Sequence, residues 1–125
     1  MDDPSFKTEY LLGDAASIMK SNLDELTSRD DTYTILLSHR PELFISYVES
    51  GVDLVLSGHA HGGQFRLPFV GGLMAPNQGL FPEYDAGLYI KENTHMIVSR
   101  GIGNSILPFR VNNRPEVILI VLECQ

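Results

Sequence analysis

The stretch Leu54-Val55-Leu56-Ser57-Gly58-His59-Ala60-His61-Gly62-Gly63 decides the reading of this chain. A continuous apolar run ends in a glycine-rich turn, and two imidazoles stand one residue apart at its tip. Upstream, Thr34-Ile35-Leu36-Leu37-Ser38-His39 repeats the pattern in part. Apolar runs without strict alternation suit strands covered on both faces, as in a parallel sheet. Between them, Pro41 fits the first turn of a helix over 42–50, with Leu43, Phe44, Tyr47 and Val48 as its buried stripe. Gly51 fits a left-handed cap. Strands over 33–38 and 52–57 then complete a β-α-β unit, whose crossover is expected to be right-handed. His39, His59 and His61 fall at the carboxyl ends of its two strands.

Working outward, residues 1–13 read as a lead-in. Asp14 is a candidate cap for a helix with Ala15, Ile18, Met19, Leu23 and Leu26 at helical spacing. Residues 62–87 are rich in Gly and Pro, and regular structure is expected to be scarce there. Phe65, Phe69, Phe81 and Tyr84 give that segment something to bury, either as a packed loop core or as the wall of a pocket for an apolar substrate tail. Residues 88–91 and 94–100 read as a hairpin about Glu92-Asn93, and 117–122 as a last strand. The expected fold class is α/β, a β-α-β unit followed by mainly antiparallel strands, within one domain spanning 1–125.

The chain has 125 residues, 43% hydrophobic and 20% charged, which places it among globular chains. Its net charge is −7 and it holds no basic run, which argues against a nucleic-acid-binding patch or an anionic membrane surface as partner. The one cysteine, Cys124, excludes an internal disulfide and any cysteine-based zinc motif. No apolar run has the roughly 18 residues of a membrane span, and no signal peptide is seen, so the default expectation for this chain is cytoplasmic.

Neutral imidazole is a good ligand for zinc, manganese and iron. A metal needs its donors held on rigid platforms, and adjacent parallel strands ending together put His39 and His59 on one rim. The glycines at 58, 62 and 63 allow a tight turn. Histidines at i and i+2 in such a turn can serve two neighbouring ions. His95, inside an expected strand, reads as structural. Arg100, Asn104 and Asn77 are candidates for substrate contact. Arg100 could grip a phosphate or pair with a surface carboxylate.

Ser38-His39-Arg40-Pro41 and Gly58-His59-Ala60-His61-Gly62-Gly63 resemble the last two metal motifs of the calcineurin-like metallophosphoesterases. The resemblance to the bacterial branch continues through Ala75-Pro76-Asn77-Gln78-Gly79, residues Ser99 to Ser105, and Asn112-Asn113-Arg114-Pro115-Glu116. It implies half of a four-layer α/β/β/α sandwich. It implies His39 and His59 on one divalent metal and His61 on the other, the metals being manganese, zinc, iron or magnesium. It also implies a phosphate-ester substrate, with a phosphodiester favoured. The family's first half carries Asp-x-His, Gly-Asp-x-x-Asp and Gly-Asn-His-Glu/Asp motifs, and none occurs here; Gly13-Asp14 lacks the second acid. The chain therefore resembles a C-terminal half. No catalytic residue is assigned within it, and weak metal binding with little or no hydrolysis is expected of it alone. A half-sandwich leaves an apolar sheet face open, so self-association or a missing first half is the expected partner. Full-length relatives often carry a membrane or export segment. The alternatives are a non-catalytic binding or assembly module derived from a truncated phosphoesterase, and a structural metal domain.

Overall fold

The computed structural model describes residues 4–27, 32–75, 77–103 and 109–123. A long helix α1 (Pro4–Thr27) leads into strand β1 (Ile35–Ser38). A 3₁₀ turn over Pro41–Leu43 runs on into helix α2 (Phe44–Glu49), followed by strand β2 (Leu54–Ser57). Two short ribbons follow: β3 (Arg66–Leu67) with β4 (Gly71–Gly72), and β5 (Met74–Ala75) with β6 (Gly79–Leu80). Strands β7 (Gly87–Lys91) and β8 (Thr94–Val98) form a hairpin. The main sheet has the order β1-β2-β8-β7, with β1, β2 and β8 parallel and β7 antiparallel at the edge.

This is the expected α/β architecture. The stripe on the second helix is fully buried at Leu43, Phe44, Tyr47 and Val48. Gly51 takes φ +69° and its N–H closes on the Val48 carbonyl at 3.1 Å, the left-handed ending that glycine tolerates without strain. In-register neighbours share a face of a sheet. Leu36, Val55, Met96 and Tyr89 align across the four strands and pack with Val98, α2, and the Ala16, Met19 and Leu23 side of α1 into one core.

Three expectations require correction. The helix does not begin at Asp14: it runs unbroken through Gly13 from Pro4. Its buried line is Ala16, Met19 and Leu23, while Ile18 and Leu26 are 61% and 73% exposed. A single glycine costs a helix only about 1 kcal/mol, too little to stop it. Strand β1 is not covered on both faces: Ile35 and Leu37 lie exposed on the side opposite the helices, as do Leu88 and Ile90 of β7, whereas Leu54 and Val55 of β2 are both buried. Residues 117–122 form no strand; they are extended but bonded into no ladder. Ile118 and Ile120 turn toward Leu56 and Ile97 on the open face, and Val117 and Leu119 face out at 85% and 88% exposure. The alternation is that of a strand, but a strand exists only when a neighbour accepts its hydrogen bonds.

Candidate metal centre

The in-register ends of β1 and β2, with Ser38 opposite Ser57, place His39 and His59 at one edge. Their ring centroids are 4.6 Å apart with planes tilted by 58°. The His39 ring also lies over Gly58, where a Cβ would sit 3.7 Å from its Nδ1. Tyr47 steadies the His39 side. Its buried hydroxyl donates to the Arg40 carbonyl at 2.7 Å and stands 2.6 Å from Ser38 Oγ, so α2 grips Arg40 by its backbone and Ser38 by its side chain, on either side of His39. Burial raises the Tyr47 pKa above the ordinary phenol value and keeps the donor protonated. Arg40 Nε pairs with Glu42 at 2.9 Å.

The His61 side is built from strained backbone. His59, His61, Gly62, Gly63 and Gln64 all have positive φ, from 48° to 72°. Left-handed non-glycine residues persist only where surroundings over-determine them, and here contacts from distant segments do so. Asn113 donates to the carbonyls of His61 and Gln64. Arg66 donates to the Gly62 carbonyl at 2.9 Å, and the Leu73 N–H to that of Gly63 at 3.3 Å. Asp85 braces the far side, accepting Arg66 at 2.8 Å and the Gly72 N–H at 2.6 Å. The glycines at 62 and 63 thus permit both the angles and the close approach. At 58, where φ is not positive, glycine makes room for a ring.

Both turn histidines are held toward the neutral, metal-binding form. Burial, then the neighbouring His39, lowers the pKa of His59, with Glu42 opposing. Burial and the Arg110 guanidinium lower that of His61. Neutral imidazoles fit a divalent ion. Among the described residues, however, no three His, Cys, Asp or Glu side chains gather closely enough to hold one. The chain brings His39 and His59 together and leaves His61 outside that pair. No carboxylate joins the paired imidazoles in such a group among the described residues.

The other sequence candidates separate. Asn77, with φ +61°, stands 3.5 Å from His59 Nε2, at the long limit of a hydrogen bond. Arg100 is engaged by Glu116 through Nη2 at 2.8 Å and its backbone N–H at 3.1 Å. Its aliphatic stem covers Gly62, leaving no room for a Cβ there. Asn104 lies outside the described residues. His95 sits in β8 as expected. The aromatic set is split: Tyr84 packs edge-on against Phe44 and Tyr89, Phe65 faces Phe109, and Phe69 and Phe81 are exposed. Sequence reading missed Asp85 and Arg110, whose local sequence marks no residue that works across tens of positions, and gave Asn113 no role although it lies in the Asn112–Glu116 motif.

The chain is 36% identical over 124 residues to the metallophosphoesterase YkuE of Bacillus subtilis, covering 90% of this chain and 43% of that protein. It is 39% identical over 88 residues to the phosphodiesterase YaeI of Escherichia coli, covering 70% and 32%. It is 37% identical over 92 residues to a metallophosphoesterase of Aquifex aeolicus, covering 73% and 33%. The chain belongs to the metallophosphoesterase family. It spans less than half the length of these relatives, consistent with a C-terminal half. No protein-family model matches the chain, and no solved structure matches it. A metallophosphoesterase of the zebrafish Danio rerio, 38% identical over 93 residues, is named a transmembrane protein. Among the described residues of this chain, no helix is long and apolar enough to cross a membrane.

Proposed function

We propose that this chain supplies the histidine side of a two-metal phosphodiesterase site, with His39 and His59 on one divalent ion and His61 on its neighbour. The observation that carries this reading is the His39–His59 ring pair at the matched ends of two parallel strands, in a chain 39% identical to a protein named phosphodiesterase. Bound divalent ions would polarise a phosphoryl group and lower the pKa of water. The chain's own residues hold the imidazoles at a shared edge: Asn113 and Arg66 brace the turn, and Tyr47 braces the residues on either side of His39. Imidazole ligands carry no negative charge, so carboxylates from the remainder of a longer domain complete the site. Manganese or zinc fits the imidazole donors.

The test is hydrolysis of bis-p-nitrophenyl phosphate with added Mn²⁺, by this chain alone and mixed with the matching first half of a relative. Slow turnover alone, a rise on mixing, and loss of the rise in His59→Ala are expected. Equal rates for wild type and His59→Ala in the mixture would refute the reading. One observation favours a non-catalytic module derived from a truncated phosphoesterase instead: no three-ligand group forms among the described residues. That second reading predicts no Mn²⁺-dependent turnover in any mixture.

A further inference from the structure

We propose that Arg110 is a phosphate contact of this site, an inference that rests on the phosphodiesterase reading above. Arg40, Arg66 and Arg100 each face a carboxylate, Glu42, Asp85 and Glu116, at 2.9, 2.8 and 2.8 Å. Arg110 faces none among the described residues. Its Nη2 donates to the carbonyls of Arg100, at 2.9 Å, and Gly103, while Nε and Nη1 are buried with no acceptor among the described residues. The side chain is partly buried, and two of its three nitrogens hold N–H groups without a described partner. It sits beside the turn: the Arg100 whose carbonyl it holds covers Gly62 with its stem, and the adjoining Val111 exchanges backbone hydrogen bonds with Gln64 and Arg66.

Electrostatics then selects the ligand. Cations held by neutral imidazoles and a guanidinium beside them repel one another, and an anion among them reverses the sign. The anion that the proposed reaction itself brings is a phosphoryl group, whose oxygens accept charge-assisted hydrogen bonds from guanidinium N–H groups. Arg100, the sequence candidate for this role, has its charge paired with Glu116 through Nη2. Arg110 has donors to give. Both nitrogens lie beneath the surface, so the anion reaches them through a side-chain shift.

The test is calorimetric titration of inorganic phosphate into the Mn²⁺-loaded chain, for wild type, Arg110→Gln and Arg110→Lys. Mn²⁺ affinity is measured separately for each. Phosphate affinity is expected to fall about tenfold to a hundredfold in Arg110→Gln, and less in Arg110→Lys, with Mn²⁺ affinity within threefold of wild type. Unchanged phosphate affinity in a folded Arg110→Gln overturns the proposal. If that variant does not fold, the Arg110 Nε–H resonance of wild type decides, followed during phosphate addition with Mg²⁺ in place of Mn²⁺. A shift supports the contact and a static signal overturns it. If wild type alone takes up no Mn²⁺, the phosphodiesterase reading is decided by the mixture assay above. The Arg110 proposal is then judged by the same phosphate titration without metal, where binding lost in Arg110→Gln supports it and no binding to wild type overturns it.

Discussion

Gly63 and Gly72 press backbone against backbone: a Cβ on Gly63 would stand 2.3 Å from the Cα of Gly72. Gly63 also takes φ +72°. Gly63→Ala therefore meets a steric clash and a conformational penalty together, and should cost about 2–4 kcal/mol and abolish Mn²⁺ uptake at the turn. Gly51→Ala is the control. Its φ of +69° is similar but nothing lies within 4 Å of a new Cβ, so its cost should stay near 1–2 kcal/mol. Urea unfolding of both variants checks the difference.

Tyr47 lies at the other end of the site. Tyr47→Phe removes the hydroxyl that meets Ser38 and donates to the Arg40 carbonyl, and leaves that carbonyl short of a buried donor. A loss of about 1–3 kcal/mol in stability is expected, with several-fold weaker Mn²⁺ binding because His39 lies between the two gripped residues. Calorimetry that shows unaltered metal affinity would separate the grip from the site.

Glu116 contributes to acid sensitivity. Its hydrogen bonds from Arg100 lower its pKa below the ordinary glutamate value. A depressed folded value means that its contribution is present above the unfolded pKa, about 4.3, and is lost as pH falls through the folded value. The melting temperature of wild type should therefore fall below pH 4 more steeply than that of Glu116→Gln. High salt should reduce the difference, because the pair is partly exposed.

Gly13 sits within α1 with open space around it. Gly13→Ala should raise stability by about 0.5–1 kcal/mol, measured as a higher urea midpoint with an unchanged slope.

The open sheet face carries Ile35, Leu37, Leu88 and Ile90 in exposed positions. Contiguous apolar surface of this kind drives association. Sedimentation should show self-association that rises with concentration, and Leu37→Lys with Leu88→Lys should shift the chain toward monomer. A wild-type monomer at all concentrations would argue that the Ile118–Ile120 segment covers the face well enough by itself.

What the sequence alone determined is the β-α-β unit and the placing of His39, His59 and His61 at its strand ends. Each of those features is local: an apolar run, Pro41 at a helix start, Gly51 at a helix end, and a stripe repeating over one helical face. Tertiary structure alone decided the rest. Whether 117–122 becomes a strand depends on a hydrogen-bonding neighbour, and sequence periodicity cannot supply one. Whether Arg100 or Arg110 is paired with a carboxylate depends on which of them Glu116 reaches. The strained turn at 59–64 is held by Asn113, fifty-two residues beyond His61, and by Asp85, which reaches it through Arg66 and Gly72. These contacts are long-range pairings of common polar residues. Their energies come from geometry that only the folded chain brings about.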